Sequence, residues 1–347
     1  MSTPQTAPKD TDVEVFALSF VPATEFPDLA VHYEKSGWHG LLAADSQNLT
    51  GDPFAAISVA ATRTERIRLG TGVTNPVTRH VAALASAAAT AHAFSDGRMV
   101  LGIGRGDSSL SHIGRGPAPV PEFEEVLTRL RGYLNEGRTQ IDEFESRMDW
   151  IAETGLPPVP IEVAASGPRV IKLGACLADR LVLTVGVEPE PIAQALETAR
   201  KARADVGLDP DGIRYGAYLN VATHRDLDVA NQLVSGSLSV LARFADRDQR
   251  SKLHGDYRID THANLRTTPS EEDRILRERF AIVGDPDHCV ARIQPLIDLG
   301  LDFVIVAGHS RDARRQDLLD SAALLGAEVI PALRPAAHPF TSEVHPS

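Results

Sequence analysis

The sequence predicts an α/β protein, a single (β/α)8 or TIM barrel, with an insertion between its seventh and eighth strands. Three observations carry this. Short apolar runs alternate eight times with amphipathic helical runs. The strand-like runs are continuously apolar rather than alternating, as a parallel sheet buried on both faces requires. The length, 347 residues, suits one barrel with insertions. An open doubly wound sheet is the competing arrangement, and eight units favour closure.

In chain order, a polar tail over residues 1–12 precedes the first apolar run, Val13–Val21. A helix pattern over Phe26–Ser36 ends at Gly37, and Trp38–Ala44 is the second strand. Asp52-Pro53 opens the next helix, with Asp as N-cap and Pro in the first turn. Ile67–Val73 is the third strand, Thr78–Phe94 an Ala-rich helix stopped at Ser95-Asp96-Gly97, and Met99–Gly104 the fourth strand. A Gly-rich loop, Gly104–Pro121, leads to a helix near Phe123–Glu136. Ile161–Ala165 and Leu181–Val185 are strands five and six, around a helix that Gly167-Pro168 starts and that runs to Ala178. A helix over Pro191–Val206, a strand over Ile213–Ala222 and a helix over Asp226–Phe244 follow. The charged stretch Ala245–Arg277 breaks the rhythm and reads as the insertion. A helix from Asp285-Pro286 to Gly300, the strand Phe303–Ala307 and a helix over Gln316–Val329 complete a domain spanning 13–330, with a Pro-rich tail over 331–347.

Lys and Arg total 35 against 47 acids, a net charge of −12, and no run of five or more basic residues occurs. Phosphate backbones and anionic membranes are bound by concentrated positive charge, so neither nucleic acid nor a membrane is an expected partner. The expected setting is the cytoplasm: the N-terminus lacks an apolar signal core, and no stretch reaches the length of a membrane span. Cys176 and Cys289 lack metal-ligand spacing and read as buried thiols.

Barrel enzymes carry their chemistry on the loops after the strands. Here those loops include Asp45-Ser46-Gln47-Asn48, Thr71–Pro76, Gly104–Ser108, Ala164–Pro168, Thr184–Gly186 and Gly308-His309. They are rich in Gly, hydroxyl and amide residues, with neither paired carboxylates nor a His/Cys cluster, so no metal is expected. Such a surface suits a large ligand held through backbone and small polar groups. Ser166-Gly167-Pro168, where a strand ends and a helix begins, is the anion candidate; an ordinary helix start is the alternative. Gly102-Ile103-Gly104-Arg105-Gly106 fails the dinucleotide spacing because its third glycine comes too early. Arg79 and His80 read as a stabilising arginine and a helix cap.

Two blocks, LGTGVTNPVTRH at Leu69–His80 and DGRMVLGIGRGDS at Asp96–Ser108, resemble the bacterial-luciferase-like superfamily, in the branch named after methylenetetrahydromethanopterin reductase. Ala164–Leu183, Phe280–Arg292 and Leu299–Val306 agree with it. The resemblance implies a homodimeric barrel oxidoreductase that binds FMN or the deazaflavin coenzyme F420 and acts on a small molecule. It implies a non-proline cis peptide at Gly72-Val73 behind the cofactor ring and Asn75 at the ring edge. Gly106, Asp107 and Ser108 would lie along the cofactor side chain, and Ala165, Ser166 and Gly167 at its phosphate. Several relatives carry an acid-His pair at the end of strand two; here Asp45-Ser46 stands there, which leaves Asp45, Ser46, the insertion as a lid or His309 to handle a proton. Hydride transfer to or from F420 is the leading reaction. An FMN monooxygenase fed by a separate flavin reductase is the second, and a non-catalytic flavin-binding barrel the third.

Overall fold

A computed structural model describes residues 13–234, 277–307 and 313–336. The predicted tail 1–12, residues 245–276 of the predicted insertion and His309 lie outside them.

Eight parallel strands close into a ring: β1 (Glu14–Ser19), β2 (Gly40–Ala43), β3 (Arg68–Thr71), β4 (Met99–Ile103), β7 (Ile161–Ala165), β8 (Arg180–Leu183), β9 (Arg214–Thr223) and β11 (Phe303–Ala307). The ring closes through β11, which pairs with β1 at Glu14↔Phe303 and with β9 at Phe303↔Gly216. The chain between β9 and β11 contains the predicted insertion. Along each strand, alternate residues face opposite sides. Val15, Ala17, Leu41, Leu69, Leu101, Val163, Leu181, Ala217 and Val304 join the large core shared with the helices. Phe16, Leu42, Val182, Phe303 and Ile305 form a separate cluster inside the ring, with Leu18, Ala164 and Tyr218 packed on it.

The interior is lopsided. Phe16 and Phe303 fill it, their rings edge to face at 6.2 Å. Glycines make room for them: a Cβ on Gly40 would stand 1.9 Å from the Phe16 ring, and one on Gly216 2.3 Å from the Phe303 ring. Below this layer, the N-terminal ends of the strands carry a buried ionic network. Arg180 donates to Glu14 Oε2 and Glu162 Oε2, each at 2.9 Å, and its guanidinium lies 3.9 Å over the Phe303 ring. Arg214 and Arg68 reach Glu14 at 2.7 and 3.1 Å. Burial would raise the Glu14 pKa, but the three guanidiniums outweigh it and hold it low; for Glu162 burial wins and the pKa is raised.

Helices α1 (Phe26–Lys35), α2 (Pro53–Ala61), α3 (Val81–Phe94), α5 (Val120–Glu136), α7 (Pro168–Leu177) and α8 (Pro189–Asp205) occupy the predicted places within a few residues. So do α9 (Pro286–Ile297) and α10 (Arg315–Leu324). The Asp52 side chain accepts from the Ala55 N–H at 3.0 Å, the predicted N-cap. Five elements were not expected. A five-residue helix, α4 (Asp107–Ser111), lies in the predicted loop. The antiparallel hairpin β5 (Arg138–Ile141) and β6 (Phe144–Arg147) and a short helix, α6 (Trp150–Glu153), follow α5. β10 (Ile282–Gly284) pairs with the end of β9 beyond the point where β8 stops. The expected loose tail begins later than Pro331, since Leu333 is buried and the Arg334 N–H donates to Gln294 Oε1. Among the described residues no helix is long and apolar enough to cross a membrane.

Candidate functional site at the barrel mouth

The end of β3 breaks the regular ladder. The Gly72-Val73 peptide is cis, where the resemblance placed it. Gly72 N–H still donates to the Ala43 carbonyl, and Thr74 N–H to the Gly102 carbonyl, both at 2.9 Å. The neighbouring strand must approach this bulge closely, which explains the glycines of Gly102–Gly106. A Cβ on Gly102 would stand 2.1 Å from the Thr71 carbonyl oxygen, and one on Gly104 3.0 Å from Val73 Cγ2. Gly106 adopts φ +93°, and a Cβ there would meet that of Asn75 at 2.8 Å. This run is a packing device rather than a nucleotide fingerprint.

After the bulge, Asn75 is wholly buried. Its Oδ1 accepts from the Val77 and Thr78 N–H groups, each at 3.0 Å, which fixes the amide orientation. Nδ2 is left sealed and without a partner among the described residues. The Ser46 hydroxyl, just past the end of the adjacent β2, is likewise buried and has no partner among the described residues. Thr78 Oγ1, three residues on from Asn75, also lacks a partner among the described residues.

Asp45 has a different fate. Its carboxylate accepts from Thr74 Oγ1 at 2.6 Å, from Gln47 Nε2 at 3.1 Å and from Arg79, and it is fully sealed. Arg79 also bonds Asp52 at 2.9 Å and lies 5.1 Å over the Phe54 ring. Burial works against the Arg79 charge, but Asp45 and Asp52 outweigh it and raise its pKa. His80 caps α3, accepting from the Ala82 N–H at 3.2 Å. Arg79 and His80 thus take the structural roles the sequence suggested. Asp45, one of the alternatives expected to handle a proton, is the counter-charge that ties the Thr74-Asn75 turn to α2 through Arg79.

Across the mouth, Ser166 is exposed and Gly167 half-buried, at the start of α7. No side chain caps that helix. The Ala165 methyl belongs to the outer core and its carbonyl accepts from Thr184 N–H at 2.9 Å, so Ala165 stands behind this corner rather than at its surface. Asp107 and Ser108 open α4, with Gly106 as its N-cap. Sequence reasoning missed Thr74, Thr78 and Tyr218; the alternation of inward residues along β9 was the signal for Tyr218.

The sequence model of the luciferase-like monooxygenase family matches residues 2–303. The chain is 27% identical over 338 residues to a 5,10-methylenetetrahydromethanopterin reductase of Methanolobus tindarius, covering 91% of this chain and 99% of the relative. It is 29% identical over 336 residues to an F420-dependent glucose-6-phosphate dehydrogenase of Intrasporangium calvum, covering 89% and 95%. In structure it resembles the coenzyme F420 dependent tetrahydromethanopterin reductase of Methanopyrus kandleri, with a TM-score of 0.72 at 23% identity over 94% of this chain and 100% of the other.

Proposed function

This chain belongs to the luciferase-like monooxygenase family, and from that membership we propose an oxidoreductase that holds a deazaflavin or flavin at the barrel mouth and transfers hydride between coenzyme F420 and a small organic substrate. One observation supports this most. Ser46 Oγ and Asn75 Nδ2, near the Gly72-Val73 bulge, lie sealed and without a partner among the described residues. An unmet buried polar group costs about 1–3 kcal/mol, so a fold keeps such groups where a ligand satisfies them. Asn75, with its Oδ1 already engaged, can only donate, and the pyrimidinedione edge of a flavin or deazaflavin is rich in acceptors.

In this reading Gly72 and Val73 support the ring and Asn75 donates to its edge. Gly106, Asp107 and Ser108 follow the cofactor side chain, and Ser166 and Gly167 with the α7 N-terminus take its phosphate, backed by Ala165. The bound cofactor supplies the hydride chemistry, and no protein nucleophile is needed. Among the described residues Ser46 is a polar group left to meet the substrate, and Asp45 acts as a positioning residue. The enzyme works as a cytoplasmic homodimer. The family's description favours a second reading on the same site, an FMN monooxygenase that uses reduced flavin from a separate reductase and O2.

Titration of the apo protein with FMN and with F420, followed by fluorescence, tests this. F420 alone binding at about micromolar or tighter, on the order of −8 kcal/mol, supports hydride transfer. A preference for FMN makes the monooxygenase primary, and binding of neither sinks both. Asp45→Asn is expected to destabilise the fold by about 2 kcal/mol, since Arg79 loses a buried counter-charge. Chemical denaturation reads this out; unchanged stability with lost turnover would return Asp45 to proton handling.

A further inference from the structure

The inward positions of β9, from the bottom of the barrel to its mouth, are Arg214, Gly216, Tyr218 and Asn220. Arg214 joins the ionic network, and Gly216 makes room for Phe303. Asn220 Nδ2 donates to the Phe280 carbonyl at 2.8 Å. Tyr218 alone of the four carries a polar group with no protein partner among the described residues.

β9 and β3 lie four steps apart in either direction around the ring, on opposite walls of the barrel. Yet Tyr218 Oη comes within 3.4 Å of where a Cβ on Gly72 would stand. The side chain therefore crosses the interior, packed on the layer of Phe16, Leu42 and Phe303, and ends at the bulge. Its ring is half-buried while its hydroxyl is sealed. Burial, with the Glu162 carboxylate adding to it, pushes the phenol pKa up well above its ordinary value, so the group remains a neutral donor. A residue wanted only for packing would be better as phenylalanine, because an unmet buried hydroxyl costs free energy that a bare ring does not.

We propose that Tyr218 is a cofactor-binding residue, its ring forming part of the floor of the mouth and its hydroxyl donating a hydrogen bond to a carbonyl oxygen or ring nitrogen of the flavin-type ring at the Gly72-Val73 bulge. This rests on the reading that such a ring binds there. The absence of a side chain at Gly72 keeps the line from Oη to the bulge open; a Cβ would also strike Leu18 Cδ1 at 2.6 Å and Leu42 Cβ at 2.9 Å.

The test is Tyr218→Phe in the full chain, titrated beside the wild type with FMN and with F420, with the melting temperature of each apo protein measured. The expected result is about fivefold weaker binding of whichever cofactor the wild type takes, the loss of one neutral hydrogen bond. The visible absorption band of the bound cofactor shifts, and the apo melting temperature is unchanged or higher. An identical dissociation constant and spectrum would overturn the proposal. So would unchanged cofactor binding with a raised KM, which would assign the hydroxyl to the substrate. A wild type that binds neither cofactor overturns the functional reading, and this proposal with it, while a wild type that binds and a variant that matches it overturns this proposal alone.

Discussion

Gly167→Asp is expected to weaken cofactor binding by more than about a hundredfold, while the apo protein melts no lower than the wild type. Gly167 is the N-cap of α7 at φ −99°, ψ 149°, extended backbone that any residue adopts. A Cβ there would meet nothing within 4 Å. Aspartate is moreover a favoured N-cap, so the substitution adds a side-chain acceptor to a helix that has none. Its carboxylate then occupies the ground where the helix dipole and free N–H groups favour an anion. Two negative charges about 4 Å apart near a protein surface repel by about 4 kcal/mol before salt screening. Fluorescence titration with FMN and F420, beside a thermal melt, reads both halves of the expectation. Undiminished affinity would place the phosphate elsewhere.

Arg180→Met is expected to destabilise the barrel by about 3–5 kcal/mol at neutral pH. Methionine preserves contact with Phe16 and Phe303 but leaves Glu14 and Glu162 facing one another in a sealed layer. Glu14 keeps Arg214 and Arg68; Glu162 loses its one salt-bridge partner among the described residues. The Glu162 pKa, already raised by burial, rises further. A carboxyl whose folded pKa exceeds its unfolded value contributes stability below the unfolded value, and that contribution is lost as pH rises through the folded pKa. The deficit of the variant therefore shrinks as pH is lowered from 7 towards 5. Urea denaturation of both proteins at the two pH values measures it, and a deficit independent of pH would assign the loss to packing instead.

The ring of strands was legible because its signal is local: continuous apolar runs punctuated by Pro-started helices at Pro53, Pro168 and Pro286. Two boundaries moved for a reason that sequence periodicity does not contain. The helix read from Thr78 starts at Val81, because Asn75 Oδ1 draws the Val77 and Thr78 N–H groups into a turn and His80 supplies the cap. The loop read over Gly104–Pro121 contains α4, five residues whose composition resembles a turn. The hairpin β5–β6 escaped because its exposed, polar strands lack an apolar face. At the site, Gly72, Val73 and Asn75 were named through resemblance. The partition of roles between Asp45 and Ser46 was not legible. Adjacent residues at a strand end point to opposite sides, and only the fold shows that Arg79, 34 residues on, takes the first of them.

The glycine and aromatic residues that share the barrel interior tie distant parts of the chain to one another in descent. Phe16 and Gly40, and Phe303 and Gly216, each divide one volume between two strands. Any gain at the glycine has to be matched by a loss at the ring, and the reverse leaves a void. Drift at these positions therefore proceeds by couples, with the first substitution of each couple costly and the second restorative. The inside of this barrel therefore changes along a few narrow routes.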